Sequence, residues 1–120
     1  NNNIIKNCNV YTTKTAIHVL NADFNEINNC TITKNGEAIH LENTQNSIVD
    51  ITGNTVNAGT ANTLQVYAVD YSTSTVGTIS NNNINGGTSN SSHTYAIFVT
   101  SSNPTIMNNN LDGGNGNGPG

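Results

Sequence analysis

The chain has no arginine and no tryptophan, and only 8% of its 120 residues carry charge. Lys6, Lys14 and Lys34 are its only fixed cations against seven acidic residues, for a net charge of −4. That balance offers no basic stripe, which excludes nucleic acid and anionic membranes as partners. No apolar run approaches the ~20 residues of a membrane-spanning helix, so no membrane insertion is expected. Helix formers are scarce and no apolar residues recur at helical spacing, which excludes a helical solenoid. No signal peptide is visible, so the chain reads as a mature protein or an excised piece. The two cysteines make no C-x-x-C pair, which argues against a zinc site and leaves the redox compartment open. A 33% hydrophobic content is thin for a globule.

What the chain does have is a recurring frame. It appears as Ile5-Lys-Asn-Cys8-Asn-Val10, Ile27-Asn-Asn-Cys30-Thr-Ile32, Ile51-Thr-Gly-Asn54-Thr-Val56, Ile79-Ser-Asn-Asn82-Asn-Ile84 and Ile106-Met-Asn-Asn109-Asn-Leu111. The leading isoleucines are spaced by 22, 24, 28 and 27 residues, one structural unit per repeat, which is the signature of a solenoid. A second alternating patch follows each of the first four: Ala16-Ile-His-Val19, Ala38-Ile-His-Leu41, Ala68-Val-Asp-Tyr71 and Ala96-Ile-Phe-Val99. In the third and fourth repeats this patch comes six residues later. The extra residues, Asn57–Asn62 and Asn85–Asn90, have the composition of an exposed loop insertion. About four rungs plus a partial one are expected, in a single β-helix segment over residues 1–120, with 112–120 a Gly/Asn-rich tail or loop.

The polar trio inside each frame marks a corner. An asparagine stacked there in every rung can donate and accept along the stack, so Asn54, Asn82 and Asn109 should form a ladder. Cys8 and Cys30 hold the same position in the first two rungs and should be stacked neighbours. They read as buried reduced thiols filling apolar space, with a disulfide sterically allowed by the rung spacing of roughly 4.8 Å.

The frame resembles the right-handed parallel β-helix repeat of the pectate-lyase-like superfamily, over residues 4 to 111. It is most similar to the Asn-rich repeats of secreted and surface proteins grouped as carbohydrate-binding and sugar-hydrolase repeats. The resemblance implies an all-β solenoid with three short strands per rung. It also implies that the Asn corner joins the second and third strands, and that the Ile-His-Val patch is a first strand. Alternation then points Ile17, Val19, Ile39, Leu41, Val69, Tyr71, Ile97 and Val99 inward, and sets His18, His40, Asp70 and Phe98 outward in a column. In the superfamily's enzymes the outer face of that sheet carries the active site.

That column supplies the candidate residues. His18, His40 and Asp70 can share a proton or hold a divalent metal, with Glu37 and Glu42 as further oxygen donors near the same edge. Phe98, with His40 and Asp70, is the candidate ligand contact, either stacking on a sugar or packing under the long loop. Tyr67 and Tyr95 recur at one position, and alternation puts them inside.

Catalysis finds less support. The lyases of the superfamily use an arginine base with calcium-binding aspartates, and the chain has no arginine. Its hydrolases need closely set aspartates, whereas Asp23, Asp50, Asp70 and Asp112 lie in separate repeats. Ser92-His93-Thr94 has no acidic partner nearby in sequence, and no cofactor is implied. The expectation is a non-catalytic extracellular or cell-surface module, structural or adhesive. Its open β edges would meet further rungs or another copy, giving end-to-end fibres. Carbohydrate binding or polysaccharide chemistry on the first-strand face is the alternative.

Overall fold

The computed structural model describes residues 3–21, 26–42, 48–62, 65–73 and 76–117. Asp23 and residues 118–120 of the Gly/Asn-rich stretch lie outside the described residues. The first rung is β1 (Ile4–Lys6), β2 (Asn9–Thr12) and β3 (Ile17–Leu20), and the second is β4 (Glu26–Asn28), β5 (Thr31–Lys34) and β6 (Ile39–Glu42). The third comprises β7 (Asp50–Thr52), β8 (Thr55–Asn57), β9 (Thr60–Ala61) and β10 (Val66–Ser72). The fourth comprises β11 (Val76–Ser80), β12 (Asn83–Asn85), β13 (Thr88–Ser89) and β14 (Thr94–Thr100), and β15 (Asn103–Met107), β16 (Asn110–Asp112) and β17 (Asn115–Gly116) follow.

Every one of these strands pairs in parallel with its counterpart one repeat away. The sheets run β1-β4-β7-β11-β15, β2-β5-β8-β12-β16 and β3-β6-β10-β14. The fold is thus an all-β parallel solenoid with three main strands per rung and a fourth short one in the later rungs, and the described residues contain no helix. Register follows the frame: Ile5, Ile27, Ile51, Ile79 and Ile106 are aligned, as are Val10, Ile32, Val56, Ile84 and Leu111. The coil amounts to about three turns, slightly short of the four plus a fragment that the repeat count suggests. The β3-β6-β10-β14 side holds four strands and hence only three steps.

Two expectations are corrected. The insertions in the third and fourth repeats are stacked structure, because β9, β13 and β17 form a fourth small sheet. The stretch beginning at Asp112 joins them through Gly116 rather than trailing away. The reason is a turn repeated in each rung: the Asn57, Asn85 and Asp112 side chains accept hydrogen bonds from the backbone N–H two residues on, at Gly59, Gly87 and Gly114. All three glycines have positive φ, and a Cβ on Gly87 would sit 2.2 Å from the Gly59 carbonyl oxygen.

The core is a set of inward columns. Ile27, Ile51 and Ile79 are fully buried, as are Ile39, Leu41, Val69 and Tyr71. Each buried isoleucine or leucine removes enough apolar surface from water to stabilise the stack by roughly 1.5 to 3 kcal/mol. The Tyr71 hydroxyl donates to the Val49 carbonyl at 2.9 Å, which satisfies the one polar atom its ring carries inside. Burial pushes its phenol pKa well up.

The corner explains the polar trio. Asn7, Asn29, Gly53, Asn81 and Asn108 all adopt positive φ, which asparagine and glycine tolerate best. The next residue is the ladder residue. Asn82 Oδ1 accepts from the Asn54 backbone N–H at 2.9 Å and from Asn54 Nδ2 at 3.1 Å. Asn109 Oδ1 accepts the equivalent pair from Asn82, both at 2.9 Å. The amide nitrogens of Asn54, Asn82 and Asn109 also donate to the carbonyls of Ile27, Ile51 and Ile79.

Candidate functional site

The outer face of β3-β6-β10-β14 assembles the predicted column: His18, His40, Asp70 and Phe98 are register partners. His18 and His40 stack face to face with centroids 4.7 Å apart and planes 17° apart. His40 stands between carboxylates, with Nδ1 3.2 Å from Glu37 and Nε2 3.7 Å from Asp70 and 3.8 Å from Glu42. Glu42 also reaches His18 Nε2 at 4.0 Å. Thr15 Oγ1 donates to Glu37 at 3.1 Å, which fixes the carboxylate over the second rung.

Asp70 is altered by this setting. Only 8% of it is exposed, and burial raises its carboxyl pKa. A hydrogen bond from Ser72 Oγ and the nearby His40 work the other way, while the Glu37 carboxylate raises it further. Donor atoms of Glu37, His40 and Asp70 lie within 4.8 Å of one another, and so do those of His18, His40 and Glu42. Glu37 and Asp70 are one rung apart, and a step of 30-odd residues along the chain is a step of roughly 4.8 Å along the stack.

Chemically, the carboxyls of Glu37 and Asp70 can share a proton, and either donor set can approach a cation. The two imidazoles are nearly parallel, so their ring nitrogens lie in separate planes instead of converging. A shared metal between His18 and His40 therefore requires a ring rotation that breaks their stacking.

Phe98 ends the column, and its neighbours were misplaced by strict alternation. Tyr67 and Tyr95 stack at 5.3 Å, and Phe98 packs against Tyr67 at 4.9 Å and Tyr95 at 5.4 Å. All three rings lie on the outer face. The alternation breaks because Ala68 and Val69 are both fully buried, as are Ala38 and Ile39 in the rung before. Two successive inward residues flip the parity, so Tyr67 points out beside Asp70. Desolvation chiefly, then Tyr95 and the carboxylates of Asp70 and Glu37, raise the Tyr67 phenol pKa. The repeated alanine before each patch was the available signal, since a small residue turning inward at a corner lets its large predecessor turn out.

Beside the rings a groove of about 640 Å³ opens between this sheet and the long loops. Thr15, Glu37 and Tyr67 line it together with Lys34 at the end of β5, Gln65 and Ser92. Lys34 is buried, and desolvation lowers its pKa despite Glu37. Ser92 thus joins the groove edge, while His93 meets Tyr95 at 6.4 Å. Comparisons with family models, with curated proteins and with solved structures find no match to this chain.

Proposed function

We propose that the chain is a glycan-binding β-solenoid module that acts outside the cell, with its ligand face on the outer surface of β3-β6-β10-β14. The observation that carries this reading is the cluster of Tyr67, Tyr95 and Phe98 on a rigid sheet, set against the hydrogen-bonding side chains of Glu37, His40 and Asp70. Sugar rings present an apolar C–H face that packs on aromatic rings and hydroxyl edges that donate to carboxylates. This face offers both within one rung step. The superfamily resemblance of the repeat agrees with such a ligand, although the proposal rests on the rings and the groove.

The test is a glycan array followed by calorimetry with the best neutral oligosaccharide. Phe98→Ala and Tyr67→Ala should each weaken binding by about tenfold, the equivalent of ~1.4 kcal/mol. Tyr11→Ala removes an aromatic that is 78% exposed on the β2 face and serves as the control. Absence of binding to every glycan, or an equal loss with Tyr11→Ala, would defeat the proposal.

A second reading, a structural or adhesive module whose copies stack end to end, is favoured by a separate observation. Ile106 and Leu111 stand in columns that are fully buried in the interior rungs, yet each is nearly half exposed. A rung laid over β15 and β16 would cover them. Light scattering and negative-stain microscopy across concentration test it. Fibres lost in Met107→Pro with the interior rungs still folded would support stacking, and a monomer at all concentrations would exclude it.

A further inference from the structure

The cysteines take no part in the outer face, and the corner they occupy gives them another role. In the later rungs the corner residues are joined side chain to side chain, Asn54 to Asn82 at 3.1 Å and Asn82 to Asn109 at 2.9 Å. Between the first two rungs that link falls to sulfur, and the two free thiols meet with Cys8 Sγ 2.7 Å from Cys30 Sγ, closer than two non-bonded sulfurs rest. The backbone on both sides is fixed in register, Lys6 with Asn28 and Asn9 with Thr31. Hydrogen bonds hold the corner itself: the Asn7 N–H to the Asn28 carbonyl at 3.1 Å, the Thr31 N–H to the Cys8 carbonyl at 2.9 Å, and Asn29 Nδ2 to Asn7 Oδ1 at 2.8 Å. A rung step of roughly 4.8 Å falls within the disulfide Cα window of about 4.4 to 6.8 Å.

We infer that Cys8 and Cys30 form an intrachain disulfide, which takes over the inter-rung link where the asparagine ladder stops. Cys30 is buried and Cys8 half-buried, so a small-molecule disulfide such as oxidised glutathione reaches Cys8 first. The Cys8 thiolate attacks one glutathione sulfur and releases glutathione thiolate. Cys30 then gives up its proton and attacks the Cys8 sulfur of the mixed disulfide, releasing the second glutathione. The two cysteines lose two protons and two electrons, and oxidised glutathione gains both to become two thiols. Burial, reinforced by the Cys30 thiol, pushes the Cys8 pKa up to about 11. The exchange is therefore slow at neutral pH and speeds up in mild alkali.

The test equilibrates the folded 120-residue chain in an oxidising glutathione buffer at mildly alkaline pH, then alkylates free thiols under denaturing conditions. The expected result is an unalkylated monomer lighter than the reduced chain by two hydrogens, with a Cys8–Cys30 linked peptide after digestion. Its urea midpoint should fall on addition of dithiothreitol, and the midpoint of Cys8→Ser should not move. Two alkylated cysteines, a lasting glutathione adduct on Cys8, or a disulfide-linked dimer would each overturn the inference.

Discussion

Replacing Asn82 by leucine removes the centre of the ladder while leaving a side chain of similar size. Asn82 is 3% exposed, so water cannot step in for what it loses. Its Oδ1 is the acceptor for the Asn54 backbone N–H, and its Nδ2 donates to the Ile51 carbonyl and to Asn109. Asn54 Nδ2 keeps the Ile27 carbonyl, and Asn109 Oδ1 keeps the Asn82 backbone N–H, so these two are only partly stranded. The Asn54 N–H loses its acceptor and the Ile51 carbonyl loses a donor. At about 1 to 3 kcal/mol for each buried group left unsatisfied, less a small gain from the apolar leucine, the cost is about 2 to 5 kcal/mol. With an m-value of about 1.5 kcal/mol/M, the urea midpoint should drop by roughly 1 to 3 M. Asn109→Leu is the internal comparison. Asn109 is half-buried at the end of the ladder, so solvent can replace part of what is lost, and its cost should be smaller. An Asn82→Leu protein as stable as the parent, or less affected than Asn109→Leu, would refute the view that the amide column holds the rungs together.

Three further outcomes follow from other parts of the molecule. The folded-state pKa of Asp70 lies above its ordinary value of 3.8, so the folded protein holds this proton to higher pH than the unfolded chain does. Its stabilising contribution is full below 3.8 and is lost as pH rises through the raised value, so the stability of Asp70→Asn relative to the parent should grow over that window. Urea midpoints at a series of pH values check this, and a gap that does not change with pH would count against it. Gly87→Ala should destabilise by more than about 1 kcal/mol in the same assay, because its φ of +76° and the Gly59 carbonyl both resist a Cβ. Gly113→Ala, with open space around its Cβ position, should cost less. Tyr71→Phe strands the Val49 carbonyl inside the coil and should cost about 1 kcal/mol, with no effect on glycan binding.

The fold was legible because a solenoid repeats its own evidence. Five copies of the frame state the register, and each isoleucine pairs with its counterpart in the next copy. The corner was legible for the same reason, since asparagine or glycine recurs at the positive-φ position and asparagine or cysteine at the position after it. Less visible was whatever depends on a departure from strict period two. Tyr67 and Tyr95 were placed inside because alternation was carried back through Ala68 and Ala96 unbroken. The alanines are the point where two neighbouring residues turn inward. The fourth sheet was missed because Asn57-Ala-Gly, Asn85-Gly-Gly and Asp112-Gly-Gly are themselves a repeated turn, and the last of them begins with aspartate. The approach of Glu37 to Asp70 was legible from the repeat, which sets Glu37 at the edge of the same column, although sequence distance alone says little about separation in a stack.

The outer face is divided along the coil axis, and this bears on how it would hold a ligand. His18, His40, Glu37 and Glu42 come from the first two rungs, Tyr95 and Phe98 from the fourth, and Tyr67 beside Asp70 from the third. The third rung is thus the seam between an ionisable half and an aromatic half, and the loops that wall the groove are long only from that rung onward. A chain of sugars engaging both halves has to lie across the strands, along the axis, with one residue on the rings and the next over Glu37 and Asp70. At roughly 4.8 Å per rung, neighbouring sugars about one residue apart span little more than one step. Stacking energy from the rings and hydrogen bonds from the carboxylates would then come from different sugars of one chain. Binding should accordingly be weak for a monosaccharide and rise steeply on going to a disaccharide, then level off once both halves are filled.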